Sequence, residues 1–149
     1  MNKIYLFILI FNAFSTINAQ NINEIKKEEN KFVYGESIKL FLGDSILVET
    51  KVINNLIKDF KLVNKIADSS KTMKIKFDYS NFGMQKSSIL TISNPFELTL
   101  KYKARIKYFN RDKYSETSII PILPKIFAFE MWPEKLESII LYDFELEKE

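Results

Sequence analysis

From Leu98 to Phe109 the chain alternates strictly. Leu98, Leu100, Tyr102, Ala104, Ile106 and Tyr108 fall on one side of an extended backbone, and Thr99, Lys101, Lys103, Arg105 and Lys107 fall on the other. Successive side chains of a strand point to opposite faces, so this segment suits a sheet with one buried and one wet face. A helix would scatter both sets around its circumference. Met73, Ile75, Phe77 and Tyr79 alternate with Lys74, Lys76 and Asp78 in the same way. Near the C-terminus, Ile140, Tyr142, Phe144 and Leu146 alternate with Asp143, Glu145 and Glu147.

Turn-forming residues punctuate these runs: Gly43-Asp44, Asn54-Asn55, Asp68-Ser69-Ser70, Asn81-Phe82-Gly83, Asn94-Pro95 and Asn110-Arg111-Asp112. Between them the pattern predicts roughly eight strands, at 37–42, 45–53, 56–65, 72–80, 86–93, 98–109, 114–120 and 136–146, with a further short one at 125–131. Pro121, Pro124 and Pro133 remove ladder donors and place their segments at edges or bends. Many short strands with regular turns predict an all-β fold, an immunoglobulin-like β-sandwich of antiparallel strands. Asn94-Pro95 and the long strand after it resemble the late hairpins of such domains. Two alternatives stay open. One is a small β-barrel. The other is an α+β fold with a helix near 53–67, because Ile53, Leu56, Ile57, Phe60, Val63 and Ala67 also fit a helical stripe.

Residues 1–19 have the three parts of a secretory signal peptide: Lys3, the apolar run Ile4–Phe11, and a short, more polar stretch ending in Ala19. The apolar run is far shorter than the ~20 residues that cross a bilayer as a helix, so cleavage after Ala19 is expected rather than anchoring. Residues 20–31 are polar and charged and read as a flexible lead, leaving 32–149 as a single β domain. Lys3 is the only charge in residues 1–19, so its loss takes the formal net charge from +3 to +2. That balance is too mild for a nucleic-acid partner. The chain has no Cys and no Asn-x-Ser/Thr acceptor. Small secreted domains commonly use disulfides, so here burial alone must hold the fold. Together these features point to a soluble protein exported into a bacterial envelope or beyond it, not membrane-spanning after cleavage.

Lys39-Leu40-Phe41-Leu42-Gly43-Asp44-Ser45-Ile46 resembles the first block of the GDSL hydrolases, which implies Ser45 as nucleophile and an α/β fold. That chemistry needs a base to take the hydroxyl proton, and the chain has no His. The segment therefore reads as a Gly-Asp turn between strands. Without His or Cys there is no Ser-His or Cys-His pair, no thiol redox centre and no typical zinc ligand set. Gly35, Gly43 and Gly83 are too dispersed to cradle phosphates. Neither an enzyme nor a cofactor is expected. Glu49, Glu97, Glu116 and Glu130 are the carboxylates that a glycosidase pair would draw on, yet nothing singles out two of them. Asp68, Asp78 and Asp112 read as solvated turn residues rather than a calcium site.

Two surface features remain. Lys101, Lys103, Arg105 and Lys107 project from one face of one strand at intervals of about 6–7 Å, which suits a polyanion, an anionic glycan or lipid headgroup, or an acidic protein; the same row also reads as a solvated outer face that acidic residues of other strands would neutralise. Trp132, the only Trp, could stack on a sugar or anchor a protein contact, or seal the end of the core. The function expected is an exported interaction domain that recognises another envelope or extracellular protein. A polyanion or glycan binder using the basic face is the alternative, and a small outer-membrane barrel a further one.

Overall fold

Ten strands carry most of residues 32–82 and 85–148, the part of the chain described by the computed structural model. They are β1 (Val33–Tyr34), β2 (Ser37–Phe41), β3 (Ser45–Ile53), β4 (Leu56–Val63), β5 (Thr72–Phe82), β6 (Gln85–Ser93), β7 (Thr99–Tyr108), β8 (Ser115–Thr117), β9 (Phe127–Trp132) and β10 (Leu136–Glu147). The fold is all-β and antiparallel, as the alternation requires. Each expected strand is present, though the one expected at 114–120 shrinks to β8. The signal peptide expected at 1–19 and the lead expected at 20–31 lie outside the described residues.

β10 organises the sheet. β7 runs along one edge of it from Leu136↔Tyr108 to Glu147↔Thr99. Its other edge takes β2 first, at Ser138–Leu141, and then β4, at Glu145. Beyond β4 the order continues β3, β5, β6, β9, while β8 lies outside β7. Two sheet layers result, β2–β10–β7–β8 and β4–β3–β5–β6–β9, in a sandwich-like arrangement. The chain passes between them at Gly43-Asp44, where Gly43 has φ 101°, a conformation only glycine adopts cheaply. Asp44 Oδ2 accepts the Phe41 N–H at 2.7 Å, and Phe77 N–H reaches Asp44 O at 2.9 Å. The turn thus closes locally and is tied to β5. The sheet is not closed into a barrel: β8 and β9 are terminal strands that do not pair with each other.

One apolar cluster fills the space between the layers. β2, β7 and β10 supply Ile38, Leu40, Leu100, Ala104, Ile139 and Leu141; β3, β5 and β6 supply Val48, Met73, Ile75, Phe77, Leu90 and Ile92. Phe144 joins them, with its ring centre 5.1 Å from Phe60 and 5.6 Å from Tyr102.

The helix considered at 53–67 is a strand, and a bulge explains its helical spacing. Asn54 and Asn55, at φ 50° and 62°, make the two-residue turn that joins β3 to β4. Glu49 pairs with Lys61 but Lys51 pairs with Lys58, so β4 carries one extra residue there. Asp59, at φ 52°, absorbs it. Ile57 and Phe60 consequently both face the core although three residues apart, which mimics a helical stripe. β10 repeats the device. Tyr142 pairs with Lys103 and Glu145 with Lys101, with Asp143 at φ 54° between them. The inward set is therefore Ile139, Leu141, Phe144 and Leu146. Ile140 and Tyr142, expected inside, lie on the outer face.

Candidate functional site

The β7 register with its neighbours sets carboxylates beside the whole basic face. Lys101 pairs with Glu147, Lys103 with Asp143 at 2.9 Å, Arg105 with Glu116 at 2.7 Å and Lys107 with Glu137 at 3.0 Å. Three of these acids come from β10, and Glu116 comes from β8. Arg105 also sits over the Tyr142 ring at 4.9 Å, and Tyr142 donates to Glu116 at 2.6 Å. The Tyr142 hydroxyl, followed by Arg105, holds the Glu116 carboxyl below its ordinary range. Glu116 in turn holds the Arg105 guanidinium further towards its charged form, and Asp143 does the same for Lys103. The face is a ladder of matched charges, and a polyanion would have to displace a carboxylate at each rung. A cleft of about 490 Å³ opens beside it, lined by Lys101, Lys103 and Asp143 together with Leu56, Lys58 and Glu145.

An uncompensated apolar surface lies elsewhere, on β9. Its alternation runs opposite to that of the other strands. Phe127, Phe129 and Met131 face outward and are 50%, 62% and 44% exposed. Ala128, Glu130 and Trp132 turn inward. The inward polar groups are satisfied across the layers: Glu130 Oε1 accepts the Ile120 N–H at 2.9 Å, and Trp132 Nε1 donates to Thr117 Oγ1 at 3.1 Å. Trp132 is half-buried against the core and closes the gap towards β8. Its indole is thus committed inside the fold.

Phe127, Phe129 and Met131 stand opposite Ser93, Thr91 and Ile89 of β6, so Ile89 widens the stripe. Lys74 of β5 has its ammonium 6.0 Å from the Phe127 ring centre. β7 shows Lys or Arg outward, β5 shows Lys74, Lys76 and Asp78, and β10 shows Glu137, Asp143, Glu145 and Glu147 beside Ile140 and Tyr142; every side chain on the outer face of β9 is apolar. Isolated exposed apolar residues are ordinary, whereas these three form a contiguous row on a terminal strand. Nothing in β9 alone reveals this, since its pattern read by itself puts the Phe residues in the core.

Asn94 holds β9 in place. Its side chain is almost fully buried and donates to the carbonyls of Leu98 at 2.8 Å, Ile122 at 2.9 Å and Leu123 at 3.1 Å. Its Oδ1 accepts the Phe96 N–H at 2.9 Å, and its backbone N–H reaches Ile126 O at 2.9 Å. One residue therefore ties the end of β6 to the start of β7 and to the segment leading into β9.

The remaining candidates are dispersed. Ser45 opens β3 beyond the Gly-Asp turn. Glu97 pairs with Lys125, Glu116 with Arg105, and Glu130 caps Ile120, on three separate elements. Asp68 accepts from the Ser70 hydroxyl and backbone and pairs with Lys71. Asp78 pairs with Lys76 at 2.9 Å. Comparisons with family models, with curated proteins and with solved structures gave no match to this chain.

Proposed function

We propose that this chain is a non-enzymatic protein-recognition domain, exported through the signal at residues 1–19 to a bacterial envelope or the exterior, with an immunoglobulin-like sandwich presenting β9 as its contact face. The observation that carries the reading is the outward row Phe127, Phe129 and Met131 on a terminal strand. Burying an apolar side chain of this size contributes about 1.5–3 kcal/mol, and aromatic anchors at the centre of an interface contribute most of its affinity. A flat row of Phe and Met with no hydroxyl or amide among its side chains suits a protein surface better than a sugar, which needs polar partners. The matched charges of β7 then serve solubility and sheet register, since Lys on outer faces discourages adventitious pairing.

The test is crosslinking capture from living cells with a C-terminally tagged protein, comparing wild type with F129K. A dominant protein partner enriched by wild type and lost with F129K is the expected result. A partner retained equally by F129K, or bait trapped only on glycan or lipid, would overturn the reading.

A further inference from the structure

The geometry points to a second copy of this chain as the partner that completes the β9 face, through antiparallel β9–β9 pairing centred on Phe129. This rests on the reading of β9 as a contact surface and names what lies along its edge. The Asn94 N–H bond to Ile126 O fixes the phase of the β6–β9 ladder. In an antiparallel pair, hydrogen-bonded and non-hydrogen-bonded positions alternate. Ala128, Glu130 and Trp132 therefore exchange bonds with β6, and the N–H and C=O groups of Phe127, Phe129 and Met131 point to the free edge. Among the described residues no strand pairs with that edge.

These groups are symmetric about Phe129. A twofold axis through it sets Phe129 opposite Phe129 of the second copy, and each Phe127 opposite a Met131. Every free edge group between Phe127 and Met131 then finds a partner, as the self-complementary surface of a twofold dimer requires. The side chains meet in cross-strand pairs of Phe with Phe and Phe with Met, a stabilising combination. Outward charge and proline protect many natural edges, and β9 carries neither within its span; its one charge, Glu130, turns inward and is held by the Ile120 N–H. Pairing consumes the backbone edge only. The two apolar rows become one continuous outward platform, twice the width that a single copy offers a protein ligand.

The absence of Cys from the chain allows a direct test by single-cysteine crosslinking with a short bis-maleimide, with sedimentation of the wild type alongside. F129C should crosslink to itself about tenfold faster than F127C or M131C alone, because only position 129 faces its own copy across the seam. A mixture of F127C and M131C should link as a heterodimer. At the outward positions, F127E/M131K should stay dimeric and F127K/M131K should dissociate, since like charges directly opposite repel. A wild type that sediments as a monomer, equal linking by all three single variants, or faster self-linking by F127C would each overturn the pairing. If the chain is monomeric while capture still requires Phe129, the pairing fails and the recognition face stands.

Discussion

Replacing Asn94 probes the joint that aims β9. N94A removes four side-chain hydrogen bonds. Not all are equally costly. The Ile122 carbonyl keeps its bond from Leu100 N–H at 2.9 Å, and Leu123 is exposed enough for water to replace the amide. The Phe96 N–H and the Leu98 carbonyl lose a buried partner, at about 1–3 kcal/mol for each stranded group. The net cost is therefore about 3 kcal/mol, a large fraction of the ~5–15 kcal/mol that holds an ordinary domain together. Urea unfolding followed by the fluorescence of Trp132, which sits on β9, should show the midpoint falling by about 1–3 M. A loss below about 1 kcal/mol would refute the accounting. N94D separates the roles of the amide further. It keeps the acceptor for Phe96 but turns an oxygen towards three carbonyl oxygens, so the charged form is disfavoured in the fold. The introduced carboxyl's folded pKa then lies above its unfolded value of about 3.9. Stability is lost as pH rises through the folded pKa and regained as pH falls towards about 4. A variant whose stability instead rises with pH over that window would contradict the geometry.

Tyr102 and Asp68 give two further checks. The Tyr102 hydroxyl is buried with no partner among the described residues, and burial, followed by the charge of Glu130, pushes the phenol above its ordinary pKa. Y102F should keep the ring against Phe144 and raise stability by about 1 kcal/mol, whereas a comparable loss in thermal unfolding would show that the hydroxyl is bonded. The Ser70 hydroxyl, then Lys71 and the Ser70 backbone, hold the Asp68 carboxyl down at about 2, against an unperturbed 3.8. Its stabilising contribution is present above the unfolded value and is lost as pH falls through the folded one. NMR titration of S70A should show the Asp68 pKa rising towards the unperturbed value, and an unmoved titration would contradict the hydrogen bonding.

What was legible in the sequence was whatever period two could carry. The inward set of β7 and the turn at Asn54-Asn55 follow from local pattern alone. The pattern fails at bulges: Asp59 makes β4 look helical, and Asp143 shifts the phase of β10, so period two places Ile140 and Tyr142 on the wrong face. The basic face is visible in the sequence and the identity of the acids that neutralise it is not, because Glu116, Glu137, Asp143 and Glu147 reach it only through long-range register. β9 reads inverted for a similar reason. Glu130 and Trp132 are drawn inward by Ile120 and Thr117, which lie 10 and 15 residues earlier in the chain. Alternation identifies two faces of a strand, and tertiary partners decide which one is buried.

The most direct measurement places a photo-crosslinking amino acid at position 129 and, separately, at position 103, in cells expressing the full chain. β9 as the contact face predicts protein adducts from position 129 and few from position 103, where Lys103 is already paired with Asp143. Adducts chiefly from position 103 would move the contact to the charge ladder of β7 and contradict the assignment of β9.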